Sequence, residues 1–169
     1  MTEALRSKDW NPGAYARFHD LRLRPGLDLL NAVPAMGSGD IYDLGCGNGA
    51  MGDALRARTA GRGLIGVDAS PAMLEKAQQS QAYTQLQQVD IRDWHPAKAP
   101  GLIVSNAALH WVGHHETLMP RLANMLGNGA TLAVQMPHQN TAPSHRVWRT
   151  LVDEMFPGRI EMAGTPGVM

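Results

Sequence analysis

A glycine-rich stretch preceded by an acid carries the strongest chemical signal in this sequence. Asp43 stands two positions before Gly45, and Gly47 and Gly49 follow at alternate positions. Alternate glycines leave backbone N–H groups uncovered, and a helix expected from about Ala50 adds the positive end of its dipole. The stretch therefore predicts a binding site for a small ligand that carries an anionic group.

The same glycines fit two classes of ligand, and Asp43 helps to distinguish them. The stretch matches both the dinucleotide pattern G-x-G-x-x-[GA] and the pattern Asp-x-Gly-x-Gly-x-Gly of loops that bind S-adenosylmethionine (SAM). A carboxylate at Asp43 would repel a pyrophosphate. It would attract the ammonium of SAM, whose own carboxylate could accept from the loop and helix N–H groups. Asp43 could otherwise be a turn residue that caps nearby N–H groups.

Two further acids follow the next two apolar segments of the chain. Asp68 could accept hydrogen bonds from both ribose hydroxyls of NAD or SAM, or could serve as an acid at the start of the following helix. Asp90 could accept from an adenine amino group while Ile91 packs against the ring, or could be an exposed loop acid. Three acids and a glycine loop, each after a successive strand, favour a nucleoside ligand more strongly than any one of them.

The elements that must position these residues alternate between strands and helices. Apolar runs predict strands at about 40–44, 64–68, 86–89, 102–104 and 131–136, with helices in most of the intervals. The connections are long enough for parallel crossovers, which are right-handed. This predicts an α/β fold with a doubly wound, Rossmann-like and mostly parallel sheet of about five strands. We expect the strand order 3-2-1-4-5, helices on both faces and a ligand at the carboxyl ends of the strands.

The whole chain of 169 residues is expected to form one domain. Before the core, one helix is expected from Pro12, with Asn11 as its N-cap, to about Leu23 and a second from Pro25 to Val33, with Arg24-Pro25 as a break between them. Residues 10–33 would then be an N-terminal helical lid, residues 40–156 the Rossmann-like core and residues 157–169 a tail.

Composition excludes several classes of protein and of site. The formal net charge is zero, from 15 basic and 15 acidic side chains, which disfavours a nucleic acid partner. No stretch resembles a signal peptide or a membrane span, and the single cysteine, Cys46, allows no disulfide framework. A cytoplasmic protein is the expectation. His110, His114, His115 and Glu116 are too few and too poorly spaced to predict a metal site.

The motifs resemble those of class I SAM-dependent methyltransferases. The segments that carry this resemblance are DLGCGNG at 43–49, GVDASPAML at 66–74 and DI at 90–91. Three more segments resemble the trans-aconitate methyltransferases within that family: WNPGAY at 10–15, SNAALHWV at 105–112 and LAVQMP at 132–137. The resemblance implies SAM as cofactor and transfer of its methyl group to a carboxylate of a small acid, with trans-aconitate as the expected substrate.

The resemblance also implies roles for particular residues. It places Asp43, Gly45, Gly47, Gly49, Asp68, Ala69, Asp90, Ile91 and Asn106 around the cofactor, with Trp10 and Tyr15 contributed by the lid. A tricarboxylate needs cationic or hydrogen-bonding partners, and the candidates are Tyr15, Arg22, His110 and Trp111. A carboxylate substrate is already ionised at neutral pH, so no residue is nominated as a general base and the catalytic residues remain unassigned.

Two other functions stay open at this point. The glycine pattern also fits an NAD-type Rossmann oxidoreductase, which Asp43 opposes. Members of the resembled family continue with two further strands and a segment that helps to close the substrate pocket, and strands six and seven are absent from this sequence. The chain could therefore be a truncated SAM-binding module without activity, whose exposed final strand edge pairs with another chain.

Overall fold

A five-stranded parallel sheet forms the centre of the computed structural model, which describes residues 19–34, 36–137 and 143–158. The strands are β1 (Ile41–Leu44), β2 (Leu64–Asp68), β3 (Gln85–Gln88), β4 (Leu102–Asn106) and β5 (Thr131–Gln135). The α-helices are α1 (His19–Ala32), α2 (Gly52–Arg58), α3 (Pro71–Gln79), α4 (His115–Asn124) and α5 (Pro143–Met155). A short 3-10 helix (Leu109–Trp111) follows β4.

The strand order is β3-β2-β1-β4-β5, and every neighbouring pair is parallel, which confirms the predicted topology. All four residues of β1 are buried, as are the first four of β2 and of β4. Continuous burial is typical of central parallel strands that are covered on both faces. The edge strand β3 contains fewer apolar residues, because Leu86 is the one apolar residue among three glutamines.

Two apolar clusters cover the two faces of the sheet. Side chains alternate along a strand, so Tyr42 and Leu44 enter one cluster while Ile41 enters the other. Leu118 and Leu122 of α4 bring that helix onto the face of Tyr42. Buried residues of α1 and α2 belong to the opposite cluster. Asp43 follows Ile41 by two positions and so points to the side of α1 and α2.

The predicted break at Arg24-Pro25 is wrong, because α1 runs without interruption from His19 to Ala32 and contains Pro25. A proline inside a helix removes one backbone hydrogen bond and crowds the preceding turn. Burial on both sides of it offsets that cost: Leu23 and Leu30 pack against the same apolar cluster, and Gly26 is buried between them. The first predicted helix, up to residue 18, lies outside the described residues.

Local capping explains where α3 begins. The Ser70 Oγ accepts a hydrogen bond of 3.4 Å from the Met73 N–H, and Pro71 occupies the first helical position, as the sequence predicted. At the other end of the chain, α5 has Val147, Leu151 and Met155 exposed to solvent. Among the described residues no helix is both long and apolar enough to cross a membrane.

Candidate functional site

The carboxyl ends of β1, β2 and β4 bring three predicted site residues to one edge of the sheet. Asp43 is the third residue of β1, and its Cα is paired with Gly66 of β2 and Val104 of β4. Asp68 ends β2 and Asn106 ends β4. Because the strands are parallel and in this register, all three polar residues lie at the same edge of the sheet, where the strands end.

The glycine-rich turn is tied to β2 by its own backbone. The N–H groups of Gly45 and Cys46 both donate to the Val67 carbonyl, at 2.8 and 3.0 Å. The Gly47 N–H donates to the Asp68 Oδ2 at 2.9 Å. These bonds hold the turn over the end of the neighbouring strand, so the geometry of the turn depends on Asp68 as well as on the glycines.

Gly45 and Gly47 are glycines for different reasons. Both have left-handed backbone angles, with φ of +73° and +56°, which side chains rarely adopt. A Cβ at Gly45 would overlap the Cβ of Ala108, so this glycine permits close packing against the segment after β4. A Cβ at Gly47 would meet nothing within 4 Å. Gly47 therefore leaves an opening through which a ligand can reach the backbone.

Asp43 is a buried carboxylic acid with one hydrogen-bond donor from a distant loop. The residue is 2% exposed, and its Oδ2 accepts a hydrogen bond of 2.7 Å from the Tyr83 hydroxyl. Burial raises the pKa of Asp43 to about 6, the Tyr83 hydrogen bond opposes that rise, and the charge of Asp68 adds to it. Among the described residues no ion pair involves Asp43. A cation that reached this carboxylate would therefore pair with it and offset the cost of burying its charge.

Asp68 uses both of its oxygens to order the backbone around it. Oδ2 accepts from the Gly47 N–H, and Oδ1 accepts from the Ser70 N–H, each at 2.9 Å. A carboxylate has about four acceptor sites, so each oxygen can still accept one more hydrogen bond. Asp68 is only partly buried and Ala69 beside it is exposed. The predicted contact with ribose hydroxyls stays a prediction.

Two arginines form hydrogen bonds with the loop after β3, which contains Asp90 and Ile91. Arg92 donates Nε and Nη2 to the Asp90 carboxylate, at 3.0 and 2.6 Å, which lowers the pKa of Asp90 to about 2. Ile91 is buried. Arg121 of α4 donates to the carbonyls of Ile91 and Trp94, at 2.5 and 2.8 Å. Arg121 thus fastens this loop to the helix that packs on the sheet.

The segment after β4 contains two buried polar atoms that have no hydrogen-bond partner among the described residues. They are Oδ1 of Asn106 and Nδ1 of His110. Burial and the nearby His115 lower the pKa of His110, so its ring is neutral at pH 7. Ala107 between them has a left-handed φ of +53°, an unusual conformation for a residue with a side chain. Strain and unmatched polar groups in one segment are typical of a place where a ligand binds.

The remaining predicted residues are distributed as follows. Trp111 stacks at a tilt on His110, with ring centroids 4.9 Å apart, and is 68% exposed. Trp10 and Tyr15 lie outside the described residues. Arg22 belongs to α1, but its side chain is also outside the described part. Cys46 is a buried thiol whose pKa burial raises, so it is not an activated nucleophile.

Sequence reasoning missed Tyr83 and Arg121. Tyr83 stands in an irregular segment before β3 and touches Asp43 across 40 positions, and no periodicity or motif signals that contact. Arg121 resembles any basic residue near the end of a helix until its carbonyl partners are known. In the part of the chain that the structure describes, no group of three or more His, Cys, Asp or Glu residues could hold a metal ion. His115 instead uses Nε2 in a hydrogen bond of 2.7 Å with the Leu109 carbonyl oxygen.

Comparison with known proteins places the same residues in a family. Residues 41–129, just over half of the chain, match the model of the methyltransferase domain. The chain is 44% identical over 143 residues to the trans-aconitate 2-methyltransferase of Paracidovorax citrulli, covering 83% of this chain and 55% of that protein. It is 41% identical over 146 residues to the enzyme of the same name from Klebsiella pneumoniae, covering 86% and 58% respectively. The chain therefore spans about half the length of the curated relatives it matches.

Solved structures share the fold. The chain is similar to an S-adenosylmethionine dependent methyltransferase from Mesorhizobium loti, with a TM-score of 0.57 and 26% identity. That match covers 66% of this chain and 52% of the solved one. Residues 41–129, which match the family model, contain the glycine turn and the ends of β1 to β4, where the candidate site lies.

Proposed function

Because the chain belongs to the methyltransferase domain family, we propose that it binds SAM at the carboxyl ends of β1, β2 and β4. One observation carries this proposal. The buried carboxylate of Asp43 forms no ion pair among the described residues, and Gly47, four residues later in the turn after β1, borders open space. An amino acid end with one ammonium and one carboxylate fits that pair of features, and a pyrophosphate does not.

The rest of the site suits the adenosine part of the same cofactor. The free acceptor positions of Asp68 can take ribose hydroxyls, and Ala69 beside it is exposed. Asp90 and the buried side chain of Ile91 stand where an adenine amino group and ring would follow, as we infer from their place after β3. Asn106 offers the unpartnered Oδ1 as a further acceptor. The roles of these five residues are part of the proposal.

We propose that the reaction is methyl esterification of a small carboxylic acid. SAM supplies a methyl group bonded to a sulfonium sulfur. A carboxylate oxygen of the acid forms a bond to that methyl carbon as the carbon–sulfur bond breaks, and the bonding electrons stay on sulfur. No proton moves, so this chain's residues need only bind, align and exclude water. A general base is not required.

Trans-aconitate is the proposed substrate because the similar proteins from Paracidovorax citrulli and Klebsiella pneumoniae carry that name. His110 and Trp111 are its candidate contacts in the described part. The neutral His110 can donate one N–H to a carboxylate. Trp111 offers an exposed ring beside it. Tyr15 and Arg22 of the proposed lid remain candidates from the sequence, and the cytoplasmic location stays a prediction.

Calorimetric titration with S-adenosylhomocysteine, SAM and NAD tests the cofactor. We expect both sulfur compounds to bind and NAD not to bind; binding of NAD alone would contradict the proposal and favour an oxidoreductase. Transfer of labelled methyl from SAM to trans-aconitate tests the substrate. If the cofactor binds but the label never reaches trans-aconitate, the substrate proposal fails for this chain and the cofactor proposal stands.

Asp68→Asn is expected to weaken S-adenosylhomocysteine binding by about 1–3 kcal/mol. The substitution removes the negative charge that strengthens the hydrogen bonds from the ribose hydroxyls and from the Gly47 N–H. Asparagine keeps the size of the side chain, so the variant should fold. Glu75→Gln removes an equally charged but exposed group from α3 and serves as the control. Equal dissociation constants for the two variants would show that Asp68 does not contact the ligand.

A further inference from the structure

We propose that Tyr83 is a positioning residue that keeps the carboxylate of Asp43 ionised and oriented for the ammonium of the cofactor. The inference deepens the proposed function and rests on SAM binding at this site. Neither the sequence motifs nor the similarity to known proteins points to Tyr83. The geometry points to Tyr83 through its hydrogen bond to Asp43, through the hydrogen bonds of the next residue to β2, and through the glycines that surround its ring.

The hydrogen bond joins two distant parts of the chain. The Tyr83 hydroxyl donates to the Asp43 Oδ2 at 2.7 Å, from the segment between α3 and β3 to the end of β1. The next residue anchors that segment. The Thr84 N–H donates to the Leu64 carbonyl at 2.8 Å, while the Thr84 Oγ1 accepts from the Leu64 N–H and donates to its carbonyl. Tyr83 is therefore held at a fixed distance from β2.

Three glycines make room for the ring of Tyr83. A Cβ added at Gly49, Gly52 or Gly66 would lie 3.2, 3.0 or 3.0 Å from atoms of that ring, closer than ordinary contact. These glycines come from the glycine turn, the start of α2 and the middle of β2. The backbone on three sides thus lacks side chains where the ring passes, and the ring can reach a carboxylate that is itself buried.

The surroundings of Asp43 give the hydroxyl an electrostatic role. The titratable groups that act on Asp43 and on its partner are Asp68 at the end of β2, the thiol of Cys46 in the turn, Tyr83 and, facing Tyr83, Asp53 of α2. None of them is a cation. Burial and Asp68 favour the protonated acid, and the Tyr83 hydroxyl favours the carboxylate. Burial and Asp43 raise the pKa of Tyr83, so the hydroxyl remains a donor at neutral pH.

Tyr83→Phe removes the donor and keeps the ring in its slot. The test measures the dissociation constant of S-adenosylhomocysteine by calorimetry from pH 5 to pH 8. For the unchanged protein we expect affinity to rise with pH as Asp43 ionises and then to level off. In Tyr83→Phe that rise should move upward by about one pH unit, with affinity about tenfold weaker on the acidic side. Groups that titrate equally in both proteins cancel in the comparison.

Tyr42→Phe is the matched control, because it deletes a phenolic hydroxyl from β1, the strand of Asp43, on the opposite face of the sheet, where Tyr42 packs against Trp94. Its pH dependence should coincide with that of the unchanged protein. A carbon-13 NMR titration of the Asp43 carboxyl in the ligand-free proteins gives a second reading, and the pKa of Asp43 should rise in Tyr83→Phe and stay unchanged in Tyr42→Phe. Gly52→Ala, whose methyl group would press on the Tyr83 ring and on Ala82, should change the profile in the same direction and replaces the phenylalanine variant if that does not fold.

The outcomes separate the two proposals. If the unchanged protein binds no S-adenosylhomocysteine at any pH, the proposed function fails, and the NMR titration still decides whether Tyr83 controls the ionisation of Asp43. If the protein binds the ligand but Tyr83→Phe keeps the same pH dependence and the same Asp43 pKa, Tyr83 only fills space and the inference is overturned.

Discussion

Asp43→Asn is expected to make the protein more stable above pH 6 and to make it a poor binder of S-adenosylhomocysteine. The pKa of Asp43 is about 6 in the folded protein, against about 3.9 for an ordinary aspartate, so its ionised form disfavours folding by about 2–3 kcal/mol. Asparagine keeps the shape and an oxygen that can accept from Tyr83. The same change removes the charge that the cofactor ammonium would meet, weakening binding by about 1.5–3 kcal/mol.

The sign of the stability effect follows from linkage. The raised pKa means that the favourable contribution of Asp43 is fully present below about pH 4 and is lost as the pH rises through about 6. Urea unfolding of the variant and of the unchanged protein should therefore agree best at pH 4 and differ most at pH 8. Asp93→Asn, at an exposed position, is the control and should show neither effect. Unchanged affinity in Asp43→Asn would mean that no cation of the ligand approaches this carboxylate.

Alanine at Gly45 and alanine at Gly47 should separate folding from binding. Gly45→Ala places a methyl group into Ala108 and forces a left-handed residue with a side chain, so we expect the free energy of unfolding to fall by about 2–4 kcal/mol. Gly47→Ala meets open space and should lose only about 1–2 kcal/mol, from its left-handed angle. Its methyl group nevertheless stands at the opening to the backbone, and we expect it to remove most of the affinity for S-adenosylhomocysteine.

Urea denaturation and calorimetry of both variants provide the measurements. Each variant introduces the same atoms at a positive φ, so each is the control for the other. Equal losses of stability would show that the contact with Ala108 does not distinguish the two positions. Normal binding by Gly47→Ala would show that the ligand does not come close to this part of the turn.

The sheet could be predicted because its strands are short, apolar and separated by crossovers. Right-handed connections leave few arrangements, and the order β3-β2-β1-β4-β5 is the expected one. The break predicted at Pro25 failed for a physical reason. Local propensity favours ending a helix there, but Leu23 and Leu30 gain burial in one core cluster if the helix continues. Tertiary packing therefore overrode the local signal.

The candidate site could be predicted to the extent that it lies at strand ends. Asp43, Asp68 and Asn106 follow from the register of parallel strands. Tyr83 could not be predicted, because its contact with Asp43 depends on three glycines that look like a turn, a helix start and a strand residue. The raised pKa of Asp43 was equally hidden, since it arises from complete burial rather than from the residue type.

The buried acid at the end of β1 also has a consequence for the stoichiometry of binding. Below its pKa of about 6, Asp43 carries a proton in most ligand-free molecules. An arriving ammonium favours the carboxylate and expels that proton. If the ammonium of the cofactor pairs with Asp43 as proposed, one cation enters the site as one proton leaves, so the charge held in the interior does not change. In mildly acidic solution, cofactor uptake would acidify the medium.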